Sequence, residues 1–116
     1  MIKSTYKYEN VKCIGVYDGD TITVLIDFGF KLTQELKIRL HRIDTPELRG
    51  SEKASGIISR DFVRKKILDK NIMLETIKKG KYGRIVAEVY FHDSNEQLEC
   101  MNDLLVDEGL AIYKDY

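Results

Sequence analysis

The sequence predicts a mainly β, α+β domain: a five-stranded Greek-key barrel with one long and one short helix. Four segments alternate apolar and polar residues, as strands with one buried face do, and a fifth is rich in β-forming residues. A long segment with helical spacing follows the third of them, and a short helical segment follows the fifth. This order is typical of a small closed barrel, although the pattern alone also permits an open α+β sheet.

The size of the chain predicts one domain. With 116 residues and 13.5 kDa it is long enough for a single core, so we expect one domain over residues 1–116. No apolar stretch approaches the ~20 residues that span a bilayer, so we expect no membrane association. No apolar signal region is visible at the start, which predicts a cytoplasmic protein, or a secreted one if a leader has been removed.

The first three strands are predicted at residues 6–16, 21–28 and 36–43. Turn chemistry at Asp18-Gly19 joins the first two as a hairpin, and Gly29-Phe30 supplies the second turn. Alternation in the third strand directs Arg39 away from its apolar face.

The long helix is predicted from Ser51 or Glu52 to Leu68, after a loop over residues 45–52 that holds the only proline. Apolar residues recur along it at roughly helical spacing, with charges between them. They are Ala54, Ile57, Ile58, Phe62, Ile67 and Leu68.

The second half of the chain predicts another hairpin, formed by residues 71–77 and 84–91 around a basic loop. A short helix follows over residues 101–108 and stops at Gly109, a glycine suited to the left-handed C′ position. We expect this helix to bury Leu104, Leu105 and the stem of Glu108. The overall order of elements is the layout of the OB fold.

The two cysteines, Cys13 and Cys100, lie in predicted strands and lack the spacing of metal ligands. We therefore expect buried free thiols and no disulfide. His41 and His92 also fall in predicted strands, outside the motifs described below, and are interpreted as surface or structural residues.

Charge is distributed unevenly along a chain whose net charge is zero. Residues 60–84 carry nine Lys or Arg and three acids, whereas residues 85–116 carry one Lys and eight acids. A basic face of this kind is expected where a protein receives a polyanion. The alternative is that lysines such as Lys65, Lys66 and Lys70 form a solvated helix face.

Three short motifs place acids and arginines where a phosphodiester could be cut. They are Asp18-Gly19-Asp20-Thr21, the run from Arg39 to Glu47, and Tyr82-Gly83-Arg84. Two aspartates at the ends of neighbouring strands can hold a hard divalent cation, and two arginines can contact phosphate oxygens. A third acid, Glu47, remains to act on the attacking water. Phosphodiester hydrolysis needs this combination of metal, base and guanidinium groups.

Each motif also has a purely structural interpretation. Asp18-Gly19 is a good hairpin turn, Thr45-Pro46 resembles a helix start, and Tyr82-Gly83 suits an ordinary loop. Turn formation does not require Asp20 as well, and helix capping explains neither Arg39 nor Arg84. Taken together, the motifs therefore favour a chemical site.

With these motifs in order, the chain resembles the staphylococcal nuclease-like, or thermonuclease, family of calcium-dependent nucleases. The resemblance extends to the ending that contains Asn102, Leu105, Val106, Gly109, Leu110 and Ala111. It implies that Asp20 and Asp44 bind Ca²⁺ through carboxylates and that Thr45 adds its backbone carbonyl.

The same resemblance assigns further residues. Arg39 and Arg84 would hold the scissile phosphate, and Glu47 would orient or deprotonate the attacking water. Lys81 and Tyr82 would contact the substrate, the tyrosine by stacking on a base or bonding a terminal phosphate. Tyr113 is a further substrate candidate.

Asp18 is interpreted as a residue that braces the turn around the metal.

The implied activity is hydrolysis of DNA, preferably single-stranded or locally opened, and of RNA, with 3′-phosphorylated products. The alternative is a catalytically inactive OB-fold module that binds nucleic acid or protein. The chain lacks the third helix that many family members place after Ala111. We therefore expect a monomer, with a dimer as the alternative because apolar surface would be left uncovered.

Overall fold

The structure is a computed structural model that describes residues 6–115. In this range the elements, in chain order, are β1 (Tyr6–Asp18), β2 (Thr21–Asp27), β3 (Thr33–Leu40), β4 (Ile43–Asp44), α1 (Lys53–Ile67), β5 (Asn71–Lys79), β6 (Arg84–His92), β7 (Leu98–Cys100), α2 (Met101–Asp107) and β8 (Ile112–Tyr113). A short 3-10 turn, Gly50–Glu52, precedes α1. None of the described helices is long and apolar enough to cross a membrane.

Five of the strands form a closed barrel. The order β3-β2-β1-β5-β6 is antiparallel throughout, and β3 then pairs in parallel with β6 to close the ring. The closing register aligns Lys37 with Arg84 and Leu40 with Ala87. The predicted barrel is confirmed, and the open sheet is excluded.

The barrel interior is filled by the inward residues of each strand, because alternate side chains on one strand point to the same face. On β3, Ile38 and Leu40 are completely buried while Arg39 lies on the other side, as predicted. The buried residues contributed by β1, β2, β5 and β6 include Val11, Cys13, Ile22, Val24, Ile72, Leu74, Ala87 and Val89.

The buried face of α1 agrees only in part with the apolar residues at helical spacing. Ile67 is buried and Phe62 and Leu68 pack against the core, whereas Ile58 is 58% exposed and Ala54 is also exposed. The other buried positions are Gly56, Ser59 and Val63. Apolar spacing cannot reveal this whole face, because Gly56 and Ser59 are small residues that permit close approach and contribute little hydrophobic area.

The helix α2 buries Met101, Asn102 and Leu105, whereas Glu108 is exposed, contrary to the prediction. Asn102 connects β6 to the turn after β3: its Oδ1 accepts from Val89 N (2.9 Å), and its Nδ2 donates to His41 O (3.0 Å) and Ala87 O (3.3 Å). A buried amide that satisfies three backbone groups explains the polar residue on an otherwise apolar face. The helix ends at Asp107, and Gly109 follows with φ 74°, the left-handed conformation predicted for the C′ position.

Three short strands, β4, β7 and β8, are not among the five predicted strands. β4 pairs antiparallel with β8, which aligns Ile43 with Tyr113 and Asp44 with Ile112. β3 ends at Leu40, so His41 lies in a turn rather than in the predicted strand. The structural alternative of a helix starting at Thr45 is wrong, because α1 begins at Lys53.

Both cysteines are free thiols, as predicted. Cys13 is buried and Cys100 is half-buried. Burial raises the pKa of each thiol to about 11, because desolvation disfavours the thiolate.

Candidate active site

Strand register brings the three motifs together at one end of the barrel. Thr21, at the start of β2, lies opposite Arg39 on β3, and Arg39 lies beside Val86 on β6. A backbone hydrogen bond from Leu40 N to Asp20 O (2.9 Å) holds the turn that precedes Thr21 against the end of β3. Groups far apart in sequence thus meet where β2 begins and β3 ends.

Asp20 is the buried acid of the site, with 7% of its surface exposed. Its Oδ2 accepts a hydrogen bond from Thr45 N (3.1 Å) and lies 3.4 Å from Arg39 Nη1. Its Oδ1 accepts from the Thr21 hydroxyl (3.3 Å). These partners orient the carboxylate, since a buried charge requires hydrogen bonds or an opposite charge.

Arg39 bridges the two predicted metal acids. Its Nη1 donates to Leu40 O (2.9 Å) and approaches Asp20, while Nη2 lies 3.6 Å from Asp44 Oδ1. Arg39 is half-buried, and its planar guanidinium contacts several oxygens at once, a geometry that lysine cannot reproduce. Arg39, predicted to hold the phosphate, therefore lies between Asp20 and Asp44, the two acids predicted to bind the metal.

Lys114 is a second cation at Asp44 that the motifs did not indicate. Its Nζ lies 3.9 Å from Asp44 Oδ2, and its backbone N donates to Arg42 O (2.9 Å). The pairing of β4 with β8 places it there. No sequence pattern predicts a pairing between two-residue strands.

Asp18 contacts the turn rather than the centre of the site. Its Oδ1 accepts from Asp20 N (3.1 Å). Burial, together with the side-chain hydrogen bond and the charge of Asp20, raises the pKa of Asp18 to about 7. This position is the one expected of a residue that braces the turn.

Close packing fixes the segment that carries the acids. A Cβ at Gly19 would lie 2.8 Å from Thr45 Cγ2 and 2.9 Å from Ser59 Cβ, so only glycine fits. Ser59 in turn donates to Leu110 O (2.7 Å). The turn, the loop after β4 and α1 are therefore in direct contact.

Glu47 lies on the exposed loop after β4. Its backbone N donates to Glu52 Oε1 (3.1 Å), and its carbonyl packs against Gly56 of α1 so closely that a Cβ there would collide with it. The backbone of Glu47 is therefore held, while its side chain is exposed to solvent. Its predicted role with water stays a prediction.

Arg84 reaches the site from the other side of the barrel seam. Its Nη1 lies 3.3 Å from the Thr21 hydroxyl, and its guanidinium carbon lies 5.6 Å from the centre of the Tyr82 ring. Tyr82 is 87% exposed and has φ 61°, in a tight loop that continues through Gly83 with φ 75°. The loop thus presents an aromatic ring and a guanidinium side by side.

A groove of about 620 Å³ opens beside these residues, over the seam between β3 and β6. Besides Arg39, Lys81, Tyr82 and Arg84, it is lined by residues that the motif analysis did not select. These are Leu40, His41, Arg42, Lys78, Lys79, Gly80 and Val86. The excess of basic residues over 60–84 is the sequence signal that could have indicated Lys78 and Lys79.

Tyr113 is not among the residues that line this groove. Its hydroxyl donates to Asp103 Oδ1 (2.8 Å), and its ring lies 5.6 Å from the Arg42 guanidinium carbon. The predicted substrate contact of Tyr113 stays a prediction, and its observed contacts are structural.

The oxygen donors at the site suit a hard divalent cation. Among residues 6–115 no group of three or more His, Cys, Asp or Glu side chains could hold a metal. The site offers the carboxylates of Asp20 and Asp44 and the backbone of Thr45. Within that range, Thr45 Oγ1 is the buried side-chain polar atom without a hydrogen-bond partner, which is costly unless another group satisfies it. Two carboxylates, a carbonyl and an unsatisfied hydroxyl fit a hydrated Ca²⁺.

Comparison with known proteins identifies the family. The model of the staphylococcal nuclease homologue family matches residues 37–116. The chain belongs to this family. The matched region of this nuclease homologue contains Arg39, Asp44, Glu47 and Arg84, whereas the turn with Asp18 and Asp20 precedes it.

Curated relatives are similar over most of the chain. An uncharacterized endonuclease of Haemophilus influenzae is 33% identical over 106 residues, which cover 90% of this chain and 53% of the relative. An uncharacterized endonuclease of Escherichia coli is 29% identical over 90% of this chain and 61% of the relative. The uncharacterized protein MJ1439 of Methanocaldococcus jannaschii is 30% identical over 87% and 58%. The chain thus spans between about half and three fifths of these relatives.

Proposed function

We propose that this chain is a calcium-dependent nuclease of the thermonuclease type. It hydrolyses phosphodiester bonds of single-stranded or locally opened DNA and of RNA, and it leaves 3′-phosphorylated products. Family membership and the two relatives named as endonucleases support a nuclease. The observation that carries the proposal is the position of Arg39 between Asp20 and Asp44, with Arg84 reaching the same turn through Thr21.

The acids and the loop after β4 hold the cation in this proposal. Asp20 and Asp44 contribute carboxylate oxygens, and Thr45 contributes its carbonyl. When bound, Ca²⁺ supplies positive charge to the phosphate and makes a neighbouring water more acidic. The backbone bond from Thr45 to Asp20 keeps two of these donors in fixed relation.

Arg39 and Arg84 bind the phosphate from two sides. Phosphodiester hydrolysis builds negative charge on the non-bridging oxygens, and preorganised guanidinium groups stabilise that charge without reorganising. Arg39 is oriented by Leu40 O, and Arg84 by Thr21 and Lys81 O. Glu47, on the loop after Asp44, orients or deprotonates the attacking water.

The preference for an unpaired strand is supported by Tyr82. A ring that is 87% exposed beside Arg84 can stack on a base, but only when that base is not stacked within a duplex. Stacking accepts any base, so little sequence preference is expected. Lys81 adds a nearby charge for the phosphate backbone.

The experiment is digestion of denatured DNA and of RNA with Ca²⁺ or EDTA, by the wild type and an Asp44→Asn variant. We expect cleavage that requires both calcium and Asp44, and 3′-phosphate ends. Calorimetric titration with Ca²⁺ should show weaker binding to Asp44→Asn. Binding of nucleic acid without cleavage in any divalent ion would contradict the proposal and favour an inactive binding module.

A further inference from the structure

We infer that the groove over the β3–β6 seam binds the backbone of a single nucleic-acid strand beyond the scissile phosphate, through Lys78 and Lys79. This inference rests on the proposed function for the chemical class of the ligand. It adds a binding stretch outside the Arg39 and Arg84 pair.

The lining of the groove is mostly basic and comes from the two closing strands and the β5–β6 hairpin. Leu40 and Val86, from the two strands that close the barrel, form part of its lining. Lys78, Lys79 and Lys81 line it from the end of the β5–β6 hairpin, and His41 from the turn after β3. A volume of about 620 Å³ is in the range of sites that enclose a whole small molecule, more than one phosphate needs.

Lys78 and Lys79 end β5 in regular register with Val86 and Ile85 of β6. The pairing is shifted just before them, between Thr76 and Lys78, and such bulges commonly lie beside functional sites. Both lysines line the groove at this end of the hairpin.

The charge of this lysine pair is available to a ligand. Lys78 and Lys79 are exposed, and neither takes part in an ion pair within residues 6–115. Among residues 6–115, no Asp or Glu lines the groove. Arg42, which also lines it, is already paired with Glu88 and Asp103. The uncompensated charge therefore lies with the lysines, where a polyanion would neutralise it.

The exposed ring of Tyr82 favours a nucleic-acid strand over other polyanions. The ring lies among the groove residues, beside Lys81 and Arg84. Basic residues that follow a backbone, together with an aromatic ring that stacks on bases, are the usual features of single-strand binding sites. An acidic peptide offers charge but no base to stack.

The test is the salt dependence of binding. Fluorescence anisotropy would follow a labelled oligothymidylate of about twelve nucleotides, with EDTA present to suppress cleavage. The proteins are the wild type, Lys78→Gln/Lys79→Gln, and the matched control Lys65→Gln/Lys70→Gln, which removes the same charge from exposed positions outside the groove.

We expect the groove variant to bind about tenfold more weakly at about 50 mM salt. Its slope of log Kd against log salt should fall by about 1.4, because each phosphate contact on a single strand contributes about 0.7. The control variant should keep the wild-type slope. Circular dichroism should show that both variants are folded.

Three results would overturn the inference: no binding by the wild type, equal weakening of the two variants, or polyglutamate of matched charge binding as tightly as the oligonucleotide. Cleavage by the wild type in Ca²⁺ is measured separately. Strand binding with the expected slope change but without cleavage would contradict the proposed nuclease activity and leave the groove assignment standing.

Discussion

Arg42 illustrates how one residue joins parts of the molecule that no motif connects. Its Nε and Nη2 donate to Glu88 (2.9 and 2.8 Å), and its Nη1 donates to Asp103 (2.7 Å). Its backbone has φ 57°, a left-handed conformation that disfavours side chains with a Cβ. These charged contacts offset that strain and hold the turn that separates Arg39 from Asp44.

Replacing Arg42 with Ala should lower the free energy of unfolding by about 3 kcal/mol, because the buried Glu88 carboxylate would lose its partner. Urea denaturation would measure this loss. The matched control is Arg60→Ala, whose partner Asp61 is exposed, and it should cost less than about 1 kcal/mol. Equal effects of the two substitutions would show that Glu88 does not depend on Arg42.

The stability contributed by Asp103 should depend on pH. The hydrogen bond from Arg42 lowers the pKa of Asp103 in the folded state. Its stabilisation is therefore fully present above the unfolded pKa of about 3.9 and is lost as the pH falls through the lower folded value. The difference in unfolding free energy between wild type and Asp103→Asn should be constant from about pH 5 to 8 and shrink below about pH 4.

The control for this pH series is Asp107→Asn, which removes an exposed carboxylate of the same helix. A wild-type advantage over Asp103→Asn that persists unchanged to about pH 2 would contradict the assigned contact.

At the scale of elements, close packing surrounds the loop after β4, which carries the catalytic candidate Glu47. α1 contacts this loop through Gly56, where an added Cβ would collide with the Glu47 backbone. The sequence predicted α1 and this loop, but of the residues at apolar helical spacing only Ile67 is fully buried. Small residues that permit close approach have no hydrophobic signature, so apolar spacing missed Gly56 and Ser59.

Gly56→Ala should therefore displace the Glu47 loop. We expect a loss of about 1–3 kcal/mol in unfolding free energy, typical of overpacking, and a fall of up to about 10²-fold in cleavage rate from misplaced groups. Chemical denaturation and single-turnover cleavage would measure the two effects. Ser55→Ala, exposed on the same helix, should change neither. Wild-type stability and rate in Gly56→Ala would refute the packing role.

The long strands were predictable because alternation continues through them, and the two helices were predictable from their spacing and from Gly109. The pairing of β4 with β8 was not, because two residues carry no period and the strands are separated by most of the chain. The contact between Lys114 Nζ and Asp44 Oδ2, at 3.9 Å, therefore could not be predicted from the sequence.

For the whole molecule, barrel closure is the step that assembles the site. Arg39 and Arg84 lie on strands that meet only where β3 pairs with β6. The motifs predicted a set of candidate site residues. The register of the closed barrel brings the strands that carry Arg39 and Arg84 together. The groove and its lysines depend on the same seam, which explains why a linear motif could not describe them.

Cys13 is buried and Cys100 is half-buried, so the reactivity of their thiols is a probe of the whole fold. Burial raises the pKa of Cys13 and of Cys100 to about 11, so little thiolate forms near pH 8. We expect native protein to react with a disulfide reagent at least about 10²-fold more slowly than free cysteine, because the thiolate is the nucleophile. Both thiols should react rapidly in urea. Rapid labelling of either thiol in native protein would contradict its burial.

The most direct measurement is the single-turnover rate of cleavage of a labelled single-stranded DNA in saturating Ca²⁺, by wild type, Arg39→Ala and the control Arg60→Ala. If Arg39 stabilises charge on the reacting phosphate, its loss should lower the rate by about 10²–10³-fold, while Arg60→Ala cleaves at the wild-type rate. Cleavage by Arg39→Ala at the wild-type rate would show that the cluster of Asp20, Arg39 and Asp44 is not the catalytic site.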